Sequence, residues 1–283
     1  MGKYRKILVA FDGSESSKNA LRQAIKLANT EKCWIKVISV IPAYEGEMEL
    51  WVRGVKNALR KPGEKMLSEA MEIAKSEGAL IMTSLEEGDA YERIIDTADG
   101  ENCDLIVMGS RGMRLIESTL VGSVTARVIG YTHRDVLVVP KDTTIGWRNI
   151  LIATDGSKYS KATTERAIEF AKSYEGDLMV ISVVDVTDEF MAQAPGLVEE
   201  MVKKAKGIVE DVKKKAEASN IKSETFVREG ETYKVIVELA KKENADVIFM
   251  GSHGRTGPKR LLMGSVTERV IGHSPCPVLV VRS

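Results

Sequence analysis

The stretch DVIFMGSHGRTGPKRLLMGSV, Asp246–Val266, passes from an apolar segment through four glycines and a basic loop into the beginning of a helical pattern. Val247–Met250 is apolar at every position, so a strand there would be covered on both faces, as in a parallel sheet flanked by helices. A second stretch, DLIVMGSRGMRLIESTLVGSV at Asp104–Val124, has the same construction. The two share one spacing, Gly109-x2-Gly112-x9-Gly122-Ser123 and Gly251-x2-Gly254-x9-Gly264-Ser265.

The repetition extends beyond the loops. KILVAFDGSESSKNAL at 6–21 matches NILIATDGSKYSKATT at 149–164, and EEGDAYERIIDTA at 86–98 matches REGETYKVIVELA at 228–240. A period this long is a whole domain and not a solenoid unit. Two domains are therefore expected, 1–141 and 148–283, joined by the polar stretch Lys141–Arg148.

Within each copy strand-like and helix-like segments alternate. In the first, strands are predicted at Ile7–Phe11, Trp34–Val40, Leu80–Leu85, Leu105–Gly109 and Val136–Val139. Tyr91, Ile94, Ile95 and Ala98, like Tyr233, Ile236, Val237 and Ala240, recur at helical spacing and predict a core-facing stripe. Lys61-Pro62-Gly63 predicts a joint dividing the helical segment 47–77, and the second copy passes Ala194-Pro195-Gly196 before a helix to about Ser219. The βαβα order implies right-handed crossovers. The fold class is α/β, two tandem Rossmann-like domains, each a five-stranded parallel sheet flanked by helices.

Composition excludes several roles. The 41 basic and 41 acidic residues cancel, so bulk charge gives no reason to expect nucleic acid as a partner. The lysines at 203, 204, 206 and 213–215 alternate with apolar residues, as on the solvated face of an amphipathic helix. No apolar run reaches membrane-spanning length, and the cytoplasm is the expected location. Three cysteines, Cys33, Cys103 and Cys276, make no metal-binding spacing and are expected to pack. No nucleophile elbow, His-x-x-x-His or carboxylate cluster points to catalysis.

In an open parallel sheet ligands sit beyond the carboxyl ends of the strands, where the two loops lie. Glycines there let main-chain N–H groups turn outward, and the helix opening at Gly122-Ser123 or Gly264-Ser265 adds unpaired N–H groups and a positive dipole end. Such a site suits phosphate. The alternative is that the glycines only shape turns and the serines only cap helices. Walker A and dinucleotide-fold spacings are absent.

Asp12-Gly13-Ser14 and Asp155-Gly156-Ser157 after the first strand of each copy, the glycine loops, the continuation GSVTERVIGHSPCPVLVV and the closing apolar strand together resemble the universal stress protein family in its tandem form. The resemblance covers essentially the whole chain. It implies a sheet order 3-2-1-4-5 and binding of an adenine nucleotide, ATP, in a regulatory or stress-response role; Mg²⁺, which takes few protein ligands, could enter bound to its phosphates. The ligand residues would be Asp12, Val40, Gly109, Arg111, Gly112, Gly122, Ser123 and Val124 in the first copy. In the second they would be Asp155, Val183, Gly251, His253, Gly254, Arg255, Gly264, Ser265 and Val266. Asp12 and Asp155 would approach from the first strand, and Val40 and Val183 would meet adenine through their backbone.

The copies differ inside the loop, where HGRTGPKR at 253–260 becomes RGMRLIES at 111–118, losing one glycine and gaining an acid. Tighter binding is expected in the second copy. Nucleotide is expected to order the segments 43–65 and 186–207. Slow ATP hydrolysis and a nucleotide-free interaction scaffold are the alternatives. The closing strands, if they lie at sheet edges, would pair as an intramolecular pseudo-dimer, and further homo-oligomerisation is conceivable.

Overall fold

The computed structural model of the protein describes residues 4–43, 54–112, 121–254 and 263–282. Two compact units, Met1–Asp142 and Thr143–Ser283, divide the chain.

The first unit holds strands β1 (Lys6–Ala10), β2 (Trp34–Ile41), β3 (Met82–Glu87), β4 (Leu105–Gly109) and β5 (Asp135–Val139). Its described helices are α1 (Glu15–Glu31), α2 (Val55–Ser76), α3 (Ala90–Gly100) and α4 (Ser123–Tyr131). The strands pair in parallel in the order β3-β2-β1-β4-β5. The second unit repeats this with β6 (Asn149–Ala153), β7 (Asp177–Val184), β8 (Ser223–Glu229), β9 (Val247–Gly251) and β10 (Val278–Val281). Its order is β8-β7-β6-β9-β10, again parallel. Its helices are α5 (Lys158–Tyr174), α6 (Asp188–Gln193), α7 (Pro195–Glu217), α8 (Thr232–Lys242) and α9 (Ser265–His273). The α/β class and the 3-2-1-4-5 order are as expected from the sequence.

Strands β4, β5, β9 and β10 are buried at every residue, the signature of a sheet covered on both faces. In each unit the order reverses beside the first strand, between β1 and β4 and between β6 and β9, so the crevice at their carboxyl ends is where the chain turns to opposite faces.

Three sequence expectations are corrected. The third strand begins two residues late, at Met82, because Leu80 is almost fully solvent-exposed and finds no place in the core. Pro62 does not divide the helix, since α2 runs through it. Proline removes one N–H, whose acceptor would be the carbonyl four residues earlier, and both Pro62 and Ala58 lie on the exposed side where water replaces that bond. Gly63, one position on, is buried, and its missing side chain lets α2 settle onto the sheet: a Cβ there would overlap Leu85 and stand 2.8 Å from Ile41 Cγ2. The third correction concerns Tyr91 and Tyr233, which head their stripes but are only half-buried. Each tyrosine ring lies under an arginine of the following helix. Arg127 stands 5.2 Å from the Tyr91 ring centre and Arg269 stands 5.3 Å from that of Tyr233. The acid before the helix completes each clamp, Arg127 to Asp89 at 3.5 Å and Arg269 to Glu231 at 2.9 Å.

Candidate functional site

The site of each unit begins with the turn after its first strand. Gly13 and Gly156 have φ of +80° and +76°, a left-handed conformation that glycine adopts without strain. The turn folds the carboxylate back: Asp12 Oδ1 accepts from the Ser14 N–H (3.0 Å) and hydroxyl (2.6 Å), and Asp155 Oδ1 from the Ser157 N–H (2.9 Å). Ser14 and Ser157 then cap α1 and α5, accepting from Ser17 N–H (3.2 Å) and Ser160 N–H (3.3 Å).

The glycine loop approaches from the neighbouring strand. A Cβ at Gly112 would stand 2.6 Å from Asp12 Oδ2, and one at Gly254 would stand 3.0 Å from Asp155 Oδ2. A side chain at 112 would have to push the Asp12 carboxylate aside, and one at 254 would crowd that of Asp155. Ser14 Oγ also reaches the Arg111 carbonyl at 3.4 Å. The neck of each loop is closed by one main-chain hydrogen bond, Gly122 N–H to Ser110 O (3.0 Å) and Gly264 N–H to Ser252 O (2.9 Å). Thr125 and Thr267 lock the far side, donating from Oγ1 to the carbonyls of Gly109 (3.1 Å) and Gly251 (2.9 Å). Sequence reasoning missed these two threonines, although each sits two residues after its Gly-Ser pair. Arg255 and the interior of both loops lie outside the described residues.

Gly109 and Gly251 serve packing directly. A Cβ on Gly109 would be 2.6 Å from Ser16 Oγ, and one on Gly251 would be 2.9 Å from Tyr159 Cβ, so both glycines let the first helix lie against the end of the strand.

The start of the following helix separates the two readings of the Gly-Ser pair. Gly122 and Gly264 are the N-cap residues, with φ of −59° and −65°, values open to any residue, and neither supplies a side-chain cap. Ser123 and Ser265 are already the first helical residues. At this position serine, threonine, asparagine or aspartate would normally bond the N–H groups of the first turn. Both units place there a glycine, which has no side-chain acceptor to offer the first turn.

Val40 and Val183 lie at the end of the second strand. The last bonds from the first strand's side are Phe11 N–H to Ile38 O and Thr154 N–H to Ile181 O, both 2.9 Å. Alternation along the strand turns the main chain of Val40 and Val183, two residues on, toward the same side, past the point where β1 and β6 have ended. The topology thus brings Asp12, Val40, Arg111, Gly112, Gly122, Ser123 and Val124 to one sheet edge. Asp155, Val183, His253, Gly254, Gly264, Ser265 and Val266 meet at the corresponding edge of the second unit.

The two sites differ beside the carboxylate. Position 159 is tyrosine where the first unit has Ser16, and its ring lies 5.6 Å from that of His253. His253 Nδ1 is 3.1 Å from Ser252 Oγ. Among the described residues no three His, Cys, Asp or Glu side chains gather into a metal site, and no helix is long and apolar enough to cross a membrane.

Each unit is thus a doubly wound α/β domain whose glycine loop and uncapped helix start face an acidic turn across the sheet edge. Comparison with known proteins identifies the class. The model of the universal stress protein family matches residues 3–140 and again 146–282, and the chain belongs to that family. It is 41% identical over 140 residues to a universal stress protein of Methanocaldococcus jannaschii, covering 48% of this chain and 82% of that protein. A universal stress protein of Mycolicibacterium smegmatis is 25% identical over 98% of this chain and 96% of its own length. The crystal structure of a universal stress protein from Archaeoglobus fulgidus superposes with a TM-score of 0.73 at 26% identity, covering 99% of this chain and 97% of the other.

Proposed function

We propose that both units bind an adenine nucleotide, ATP in the first instance, and that the protein works as a nucleotide-responsive regulator. The observation that carries this reading is the glycine at the N-cap of α4 and α9, where no side chain caps the first turn; at Gly122 a Cβ would meet nothing closer than 3.7 Å, while at Gly264 it would press on Ser252 O at 3.3 Å. A phosphate oxygen is the natural acceptor for N–H groups left in this way. Gly112 and Gly254, flat against Asp12 and Asp155, leave a cradle that a Cβ would fill.

In this reading the phosphates rest on the N–H groups of Ser123 and Val124, or Ser265 and Val266, with Arg111, or His253 and Arg255, from the loop. Gly109 and Gly251 hold the loop's entry against the first helix. Adenine meets the main chain of Val40 or Val183. Mg²⁺ would arrive on the phosphates, keeping most of its waters, with Asp12 or Asp155 as the nearest protein carboxylate.

Two measurements test this. Protein purified under native conditions is expected to release adenine nucleotide on denaturation, seen at 260 nm. Stripped protein is expected to give a saturable calorimetric titration with Mg-ATP. Neither bound nucleotide nor heat at millimolar ATP would remove the proposal and leave a nucleotide-free scaffold.

A further inference from the structure

The sheet of the second unit ends at β8, and among the described residues no strand lies on its far side. The ladder to β7 fixes which main-chain groups face outward. Leu178 N–H bonds Lys222 O at 2.9 Å and Gly230 N–H bonds Val184 O at 3.0 Å, so the even-numbered residues between them turn their main chain to β7. Ser223, Thr225, Val227 and Glu229 therefore offer their N–H and C=O groups to the open edge. One hydrogen bond among the described residues reaches this row, from Arg228 Nη1 to Val227 O at 3.0 Å.

We propose that β8 pairs antiparallel with β8 of a second copy of this chain, about a two-fold axis at Phe226. Outward groups of one parity must meet groups of the same parity, so a two-fold strand pair here is centred on a single residue. Centred on Phe226, all seven residues of the strand find a partner: Ser223 opposite Glu229, Thr225 opposite Val227, Glu224 opposite Arg228, and Phe226 opposite itself. Symmetry makes the Glu224–Arg228 pair twice. It also falls at the positions where an antiparallel ladder brings side chains closest, as does the pair of phenylalanine rings. Moving the centre to Thr225 sets Glu224 against Phe226, and moving it to Val227 sets Arg228 there. The register that pairs the whole strand is thus the one that matches its charges.

Arg228 is poised for the exchange. It is exposed, with its guanidinium 5.7 Å from the Phe226 ring centre. On pairing, Thr225 N–H of the second copy takes Val227 O, and the released guanidinium turns to Glu224 across the axis. On the opposite face Thr225 and Val227 line a groove of about 600 Å³ beside Gly207 of α7. A Cβ on Gly207 would meet nothing within 4 Å, which leaves room for side chains of the second copy.

Charges on an edge strand ordinarily guard it against pairing, and the first unit follows that rule. Its edge strand β3 has Met82 and Glu86 where β8 has Glu224 and Arg228. The same register there would set Met82 against Glu86, with no opposite charges facing. Self-pairing therefore belongs to the second unit.

The test is sedimentation of the full chain from micromolar to millimolar concentration. The wild type is expected to associate to two chains and to do so less in high salt. Glu224→Arg or Arg228→Glu alone sets like charges face to face twice and should weaken association about 10-fold or more, whereas the double swap should restore it. Thr225→Pro removes an N–H that faces outward, sparing the β7–β8 ladder, and should abolish association. Thr83→Pro on β3 should leave it unchanged. Circular dichroism and urea unfolding verify the fold of each variant. A wild type that stays a single chain at every concentration overturns the proposal, as does association indifferent to the single reversals or to Thr225→Pro. Stronger association of Arg228→Glu would make Arg228 a guard of the edge instead, and a mass beyond two chains would contradict the closed two-fold pairing.

Discussion

The carboxylate of Asp12 occupies the place where a side chain at position 112 would have to go, and Asp155 crowds the same place beside position 254, at 3.0 Å. The acidic turn and the glycine loop come from strands that are distant in sequence but adjacent in the sheet. Their contact is what makes two separate motifs one site.

Filling that contact is the most direct challenge to the site. Gly254→Val is expected to weaken nucleotide binding in the second unit by the equivalent of roughly 1–3 kcal/mol, the usual cost of overpacking. Gly112→Val should do the same in the first. Calorimetric titration of each variant is expected to show the wild type's tighter site surviving in Gly112→Val and lost in Gly254→Val. Survival of the tighter site in Gly254→Val alone would reverse the order of the units.

Nucleotide should also be felt beyond β7. The segment 186–207 contains α6 and the start of α7, and exposes Phe190, Leu197 and Met201 at the sheet edge that holds Val183. Saturating ATP is expected to slow amide exchange there. An unchanged exchange pattern would leave the ligand bound but silent.

The seat of α2 on the sheet gives a prediction about stability. Gly63 faces Leu85 and Ile41, while the repeat places Ala205, Val227 and Val184 at the matching positions, so a larger helix residue accompanies smaller strand residues. Gly63→Ala is expected to destabilise the first unit by about 1 kcal/mol or more through overpacking. With Leu85→Val and Ile41→Val in place, the same change should become neutral or stabilising, because alanine is favoured over glycine in a helix by about 0.5–1 kcal/mol. Urea unfolding of the series measures the coupling, and additive effects would contradict the fit.

Acid should expose a pairing confined to the first unit. Glu101 bonds Lys36 at 2.7 Å and Lys6 at 2.6 Å, and these ammonium groups hold its carboxyl down to about 2, from an ordinary value of 4.5. Its folded value is depressed, so its contribution is complete above pH 4.5 and disappears as the pH falls toward 2. Glu101→Gln should therefore be less stable than wild type at pH 7, and the gap should close between pH 4.5 and 2. A gap of constant size in urea melts across that range would assign the difference to something other than the charge.

The cysteines should be quiet thiols. Burial raises Cys33 and Cys103 to about 11 and Cys276 to about 12. Native protein at pH 8 is expected to react slowly with a disulfide reagent, and denatured protein at all three positions. Fast labelling of Cys103 or Cys276 in the native chain would show that a buried thiol becomes accessible.

Much of this was legible in the residues. The strand–loop–helix unit and its repetition were written in the apolar runs and the glycine spacing, which depend only on local geometry. Other features depended on what lies across the fold. Pro62 reads as a break unless it is known to face solvent, and Gly63 reads as part of that break unless Leu85 is known to lie beneath it. Tyr91 reads as core by periodicity, yet Arg127, thirty-six residues away, draws its ring to the surface. Gly109 reads as a phosphate glycine by its place in the motif, while its contact with Ser16, which gives it a packing reason as well, lies across the fold. At the site, the N-cap glycines could be located by sequence, whereas their unforced backbone angles could not.

The snug seating of α2 and α7 also bears on how a duplicated gene keeps its halves apart. A crossover that exchanged these helices between the copies would crowd one sheet and leave a hole over the other. Each half has grown a lock that only its own key fits, so mispaired recombinants would tend to be lost as poorly folded chains.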